Sequence, residues 1–250
     1  MIRTVIWLLY AVILLIVILP AALLIRLFGG KHDYPHPYKA ACGFVRVLLP
    51  TVTAVAGAKF EVKGTENLPD GPALFVANHQ SDFDIVPPLL YLGQMPSIIS
   101  KKENAKIPVA HLWMQLMGCI FIDRKNLRSS LKSLEEAQVS LEKGTSIAVF
   151  PEGTRSKGPE MREFKAGCFK CALAAQVPIV PYAIDGTYKL FEQQGYLKKG
   201  TVKVSILPPI STEGLTVHDS RAVCAKAQNA IQEELYNLRG TEESERSIKW

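Results

Sequence analysis

The chain has 250 residues, 48% of them hydrophobic, and a formal charge of +6 from 29 basic and 23 acidic residues. That length suffices for one sizeable core, or for a core plus an anchoring segment. The positive balance favours anionic partners (phospholipid headgroups, acidic carrier proteins, phosphorylated metabolites or nucleic acid) without choosing among them. Five cysteines, Cys42, Cys119, Cys168, Cys171 and Cys224, are too few and too scattered for a disulfide framework and point to a reducing compartment for the soluble part.

Residues 4–25 carry no charge and are almost wholly apolar, with Arg3 before them and Arg26 after. About 20 apolar residues cross the hydrocarbon core of a bilayer as a helix. Trp7 and Tyr10 sit near the start of the run, where interfacial aromatics are common. An uncleaved membrane anchor is the favoured reading, over a cleaved signal peptide and a buried core helix. Pro20 is expected to kink this helix or end it early. Residues 29–38, Gly-Gly-Lys-His-Asp-Tyr-Pro-His-Pro-Tyr, read as a linker. A second apolar stretch, 40–58, is interrupted by Arg46, Pro50 and Gly57, which suits a helix lying in or returning to the interface. Residues 1–58 therefore read as a two-helix membrane-attachment hairpin.

From residue 59 short β runs alternate with helical ones. Strands are expected at 59–63, 73–76, 96–100, 119–122, 146–150, 179–184 and, as an edge strand, 202–207. Between them lie an apolar segment at 84–92 holding Pro87-Pro88, a helix at 109–117 opened by Pro108, and a helix at 127–141 with leucines at steps of three or four. Gly144 ends the last of these. Further helices are expected at 167–176 and 217–238. The alternation argues an α/β fold: a mixed, largely parallel sheet flanked by helices, spanning 59–240 and followed by a charged tail at 241–250. Cys168 and Cys171 have C-x-x-C spacing, but they fall in an apolar helical pattern and read as buried thiols.

Four polar clusters follow four short strands: 78–84, 101–103, 123–124 and 151–155. In α/β sheets the loops leaving strand ends form the site. His79 and Asp84 are five residues apart, so a strand-to-helix turn between them brings the carboxylate to the imidazole. That pair would take a proton from a hydroxyl, with Asp84 holding the ring. Helix capping and a metal site with Asp82 are the competing readings; ligand spacing for a metal is lacking, and none is expected. The nucleophile motif of serine hydrolases is absent, which favours activation of a substrate's own hydroxyl. Gly153 allows close backbone approach, Thr154 offers a hydroxyl, and Arg155 a planar fork suited to phosphate. Glu152 is expected to orient a basic residue or a loop amide. Arg124, Lys101, Lys102 and Lys165 add positive charge, implying a phosphorylated or otherwise anionic substrate. The basic residues are not interleaved with aromatics, so nucleic acid is not expected.

Asn78-His79-x-x-x-x-Asp84, Gly118-Cys-Ile-Phe-Ile-Asp-Arg124, Phe150-Pro-Glu-Gly-Thr-Arg155 and Val177-Pro-Ile-Val-Pro181 together resemble, in order and spacing, the four blocks of the 1-acyl-sn-glycerol-3-phosphate acyltransferase family. The resemblance covers about residues 60–210. It implies transfer of a fatty acyl group from acyl-CoA or acyl-ACP to the sn-2 hydroxyl of lysophosphatidic acid, giving phosphatidic acid, with no bound cofactor. His79 resembles the general base and Asp84 its partner. Arg124, Glu152, Gly153, Thr154 and Arg155 resemble acceptor-binding residues, with Lys102 favoured over Lys101 as a further phosphate contact. The fourth block resembles an element shaping the acyl or acceptor groove. Asp82 departs from the usual pattern by placing a second carboxylate inside the first block. The implied location is a membrane, specifically the cytoplasmic side of a bacterial inner membrane, with phospholipid as a partner. Acylation of glycerol-3-phosphate or another lysophospholipid remains the nearest alternative. A non-catalytic membrane protein binding acidic lipid is the alternative of a different class.

Overall fold

The computed structural model describes residues 1–28 and 39–247, apart from the side chains of Leu127 and 241–247. The linker expected at 29–38 and the side chains of the charged tail at 241–250 lie outside the described residues. The architecture is clearest in strand β2, Leu74–Ala77, whose four residues are all buried. Leu74 and Val76 enter one core and Phe75 and Ala77 the other, as the two-residue period of a strand requires. A strand covered on both faces reads as an unbroken apolar run, and this one does.

Seven strands form one sheet in the order β1-β7-β6-β2-β5-β3-β4. They are β1 Ala58–Lys63, β2, β3 Ser97–Lys101, β4 Ile120–Ile122, β5 Ile147–Val149, β6 Ile179–Asp185 and β7 Gly200–Ile206. All neighbouring pairs are parallel except β6 with β7. The mixed, largely parallel sheet therefore matches expectation. One placement does not: β7 was expected at an edge, and it lies inside the sheet between β1 and β6. Its alternating pattern reflects unequal cover on its two faces, with β1 paired along its outer side. The edges are β1 and β4.

On one face pack α5 Leu127–Glu142, α6 Lys170–Ala175 and α7 Ser220–Ser247, through residues such as Ala137, Leu173 and Ile231. Helix α6 is shorter than expected because its first turn, Ala166–Phe169, is a 3-10 turn. Helix α7 runs on past its expected end at 238. The other face is covered by α3 Val86–Leu90, α4 Pro108–Leu116 and α2 Lys39–Ala56. Proline opens α3 and α4 within the first turn, where its missing N–H costs no helical bond.

Helices α1, Ile2–Phe28, and α2 pair antiparallel: Arg3 donates to the Ala56 carbonyl, Trp7 to the Val52 carbonyl at 3.1 Å, and Tyr10 meets Thr51. Pro20 and Pro50 both lie inside their helices, so Pro20 does not end α1 early. Among the described residues these are the helices long and apolar enough to cross a membrane by length and composition. Ile6, Leu9, Ile13 and Val17 of α1 are exposed. An apolar face left open in this way is characteristic of a surface that meets lipid or protein rather than water. The pair is fixed to the α/β unit by Ala22 and Ala41 against Trp113 and Leu116 of α4.

Candidate active site

The sheet order brings β2, β5, β3 and β4 side by side and parallel. The four polar clusters that follow those strands consequently leave the same end of the sheet. This is the arrangement that places ligand sites beyond the carboxyl ends of strands.

At the end of β2 the chain is gripped from both sides. The Asn78 side chain donates to the Ile184 carbonyl and accepts from the Ile184 N–H, both at 2.8 Å, imitating a peptide group and extending the β2–β6 pairing. On the β5 side, Glu152 accepts from the His79 N–H at 2.6 Å, and Ser156 N–H donates to the His79 carbonyl at 2.7 Å. The His79 ring lies on Phe150, with centroids 4.3 Å apart and planes 17° from parallel. Backbone and ring of His79 are thus both set by the loop after β5.

Ser81 then caps a 3-10 turn, Asp82–Ile85, with its hydroxyl accepting from Phe83 N–H while Asp84 accepts from Ser81 N–H. This capping box folds the Asp84 carboxylate back towards the strand end. His79 Nδ1 donates to Asp84 Oδ2 at 2.7 Å, and the same oxygen accepts from Gln80 N–H at 2.6 Å. Asp84 is fully buried. A buried carboxylate is tolerable when hydrogen-bonded throughout, and the donors hold it as an acceptor. With Nδ1 committed, Nε2 is the ring nitrogen left to face a substrate.

Glu152 is also buried, and its second oxygen accepts from Arg162 N–H at 3.1 Å. Burial pushes its carboxyl up to about 7, against the opposing pull of those backbone donors. Glu152 therefore organises loop amides, one of the two tasks anticipated for it. Gly153 has φ +74°, and a side chain there would meet Lys165 Nζ, which lies across it. That lysine, with Arg124 and Lys170, lines a cavity of about 370 Å³ beside Phe150 and Gly153.

Arg155 is ion-paired with Asp82, and lies 3.6 Å from Glu192. Glu192, whose carboxyl burial raises, also accepts from Asp82 N–H. Asp82 is thus part of an ion-pair cluster rather than of the His79–Asp84 pair. Lys102 is exposed and pairs with Asp123, two strands away from β2. The pairing holds Lys102 above and Asp123 below their ordinary values. Thr154 is exposed on the turn after β5.

A second, apolar groove of about 510 Å³ runs between α1, α2, α3 and α4 and reaches Asp82 and Ile85 on the turn that carries Asp84. Leu15, Phe44, Leu89, Trp113 and Met114 are among its walls. The fourth block, expected to shape such a groove, does not line it. Residues 179–181 instead begin β6, where Pro181 pairs with Val76 of β2. The block is apolar because it runs through the middle of the sheet.

The model of the Acyltransferase family matches residues 59–185. The chain belongs to that family. It is 37% identical over 198 residues to a chloroplastic 1-acyl-sn-glycerol-3-phosphate acyltransferase of Brassica napus, covering 77% of this chain and 55% of the relative. A probable 1-acyl-sn-glycerol-3-phosphate acyltransferase of Mycoplasma pneumoniae is 35% identical, covering 76% and 75%. The mouse protein named 1-acyl-sn-glycerol-3-phosphate acyltransferase alpha is 34% identical, covering 75% and 67%. The chain spans about half the length of the chloroplast relatives it matches. The crystal structure of PlsC from Thermotoga maritima, a 1-acyl-sn-glycerophosphate (LPA) acyltransferase, superposes with a TM-score of 0.77 at 25% identity, over 95% of this chain and 97% of that one.

Family motifs do not mark every residue that builds the site. Thr187 donates to Asp84 Oδ1, and Glu192 backs Arg155. Both come from the turn after β6, beyond the fourth block, and a linear reading has no signal there except the Gly186-Thr187 pair closing an apolar strand.

Proposed function

We propose that the protein transfers a fatty acyl group from the thioester of coenzyme A or acyl carrier protein to the sn-2 hydroxyl of 1-acyl-sn-glycerol-3-phosphate, giving phosphatidic acid. The observation that carries this reading is the His79–Asp84 pair, with an apolar groove reaching Asp82 and Ile85 on the turn that carries Asp84. A groove of that volume falls within the ordinary range for small-molecule sites, and its walls suit an acyl chain. The names of the relatives agree with this acceptor.

In this mechanism His79 Nε2 takes the hydroxyl proton as the acceptor oxygen bonds to the thioester carbonyl carbon. The tetrahedral intermediate collapses, the carbon–sulfur bond breaks, and the imidazolium returns its proton to the departing sulfur. Asp84 stabilises the imidazolium between these steps. The basic side chains near the turn after β5, Arg155 and Arg124 with Lys165, are the groups suited to the acceptor phosphate. Gly153 lets that turn approach it, and Lys102 and Thr154 are assigned more distant contacts.

The exposed apolar faces of α1 and α2 hold the protein at a membrane, where a lysophospholipid and its product reside. Five free thiols suit a reducing compartment, so the catalytic unit is assigned to the cytoplasmic side, in a bacterium of the inner membrane.

The test is purified protein in mixed micelles or vesicles, assayed with acyl-CoA and acyl-ACP against lysophosphatidic acid and glycerol-3-phosphate. The reading expects lysophosphatidic acid to be the better acceptor and His79→Ala to abolish turnover. A preference for glycerol-3-phosphate, or full turnover by His79→Ala, overturns it.

A further inference from the structure

The carboxylate that holds His79 is itself held from the turn after β6, the strand beside β2. Asp84 Oδ2 is shared by His79 Nδ1, Gln80 N–H and Ser81 N–H. Its other oxygen, Oδ1, receives the Thr187 hydroxyl at 2.5 Å. Thr187 is fully buried. The same hydroxyl lies 3.2 Å from Gln80 Oε1, which already accepts from Gly186 N–H at 3.1 Å. One hydroxyl proton serves one acceptor well, and the nearer, charged oxygen takes it.

The backbone is shaped to deliver this contact. Gly186 leaves β6 at φ +100°, a left-handed conformation open to glycine, and a side chain there would stand 2.8 Å from the Thr201 carbonyl oxygen. That turn swings Thr187 back under the strand end. Gln80 is secured in turn, donating to Asp185 Oδ1, which also accepts from Arg239 of α7 at 3.0 Å.

We infer that Thr187 is a positioning residue for the His79–Asp84 pair: its hydroxyl fixes the rotation of the Asp84 carboxylate and offsets charge on Oδ1. This inference rests on the reading of His79 as the general base. Without the hydroxyl, one oxygen of a buried carboxylate loses its donor, and the ring loses a fixed partner. The sign of the effect on titration follows. A donor on Oδ1 stabilises the state in which Asp84 is charged and His79 neutral more than the state in which the charge is already balanced by imidazolium. Its removal therefore makes the pair bind its proton more tightly. The other ionisable groups facing the pair are Glu152 on the turn after β5, Tyr182 on β6, and the Asp82–Arg155–Glu192 cluster at the mouth, all retained in the variants below.

The experiment compares Thr187→Val, which keeps the shape and loses the donor, with Thr187→Ser, which keeps the donor. Full-length protein is assayed in mixed micelles with oleoyl-CoA and lysophosphatidic acid across pH. Thr187→Val is expected to lower kcat about 10- to 100-fold, the value of a hydrogen bond to a buried charge, with acceptor KM within about 2-fold. Its acid limb should move to higher pH, and Thr187→Ser should stay near wild type in both respects. Thr187→Cys, with a weak donor of similar size, replaces the valine variant if that one lacks a cooperative thermal transition, and it should fall between the two. A valine or cysteine variant with wild-type kcat and acid limb, a serine variant as impaired as valine, or a change confined to KM overturns the inference. Inactive wild-type protein instead overturns the acyl-transfer reading itself, so the two failures are told apart.

Discussion

Arg155 and Asp82 face each other as an ion pair at the mouth of the site, with the largely covered Glu192 side chain behind them. The Asp82 side chain is 81% exposed and that of Glu192 only 6%, so Asp82 is the carboxylate an arriving phosphate can displace. Asp82→Asn is expected to lower acceptor KM by about 2- to 5-fold, the scale of an exposed ion pair, and the gain should shrink at high salt. Arg155→Ala should raise acceptor KM by at least about tenfold, with a fall in kcat if the phosphate also positions the hydroxyl. Steady-state kinetics at two ionic strengths checks both. A higher KM in Asp82→Asn counts against displacement.

Removing the imidazole tests the chemistry more directly. His79→Ala should lower kcat by about 10²- to 10⁴-fold, as expected for loss of a general base. Asp84→Asn should also be severely impaired, because an amide facing Nδ1 favours the wrong tautomer. Vesicle co-sedimentation of His79→Ala should equal that of wild type, since the exposed apolar residues of α1, such as Ile6, Leu9, Ile13 and Val17, are untouched by the substitution. A non-catalytic lipid-binding protein would show no loss of any measured function in this variant.

Glu152 makes a prediction about stability. Burial raises its carboxyl from 4.5 to about 7 in the folded protein. Between those values the folded state binds more protons than the unfolded one, so stability falls as pH rises. The contribution is fully present below about 4.5 and lost by about pH 7, and each unit is worth about 1.4 kcal/mol, giving roughly 3 kcal/mol as a ceiling. Glu152→Gln removes this slope while keeping one acceptor for the His79 N–H. Thermal unfolding of the two proteins in detergent from pH 4.5 to 7.5 should show their difference changing with pH; a constant difference contradicts the assignment.

The apolar groove predicts a chain-length effect. Ala110 of α4 lines it, and Ala110→Phe fills part of its volume. Long-chain donors should lose about tenfold or more in kcat/KM while short-chain donors are little changed, in line with the value of a few methylenes in an apolar pocket. A series of saturated acyl-CoA donors makes the comparison.

The elements most legible in the sequence were those governed by local pattern. The run 73–76 announces a fully buried strand and the leucine steps after residue 127 announce α5, whereas the capping box of Ser81 with Asp84 emerges only from the structure. The convergence of clusters followed from parallel strands with loops at a common end. What stayed hidden depends on strand order. Sequence position does not reveal that β6, last but one in the chain, sits next to β2, or that β1 lies outside β7. Thr187 and Glu192 were missed for that reason, and the fourth block, though read as a strand at 179–184, was also given a groove-shaping role that its place beside β2 does not support. Asp82 was recognised as unusual, but its partner, 73 residues on, comes from a different strand end.

The order β6-β2-β5 also sets a timetable for the growing polypeptide. Helices α1 and α2 are complete by residue 56, whereas the strands flanking β2 come only at 147–149 and 179–185. Asn78 has no Ile184 to grip, and Asp84 no Thr187, until most of the catalytic unit has been synthesised. The two apolar helices are therefore synthesised before the strands that complete the His79–Asp84 site, so on the proposed reading the anchor is made before the proton-handling pair is closed.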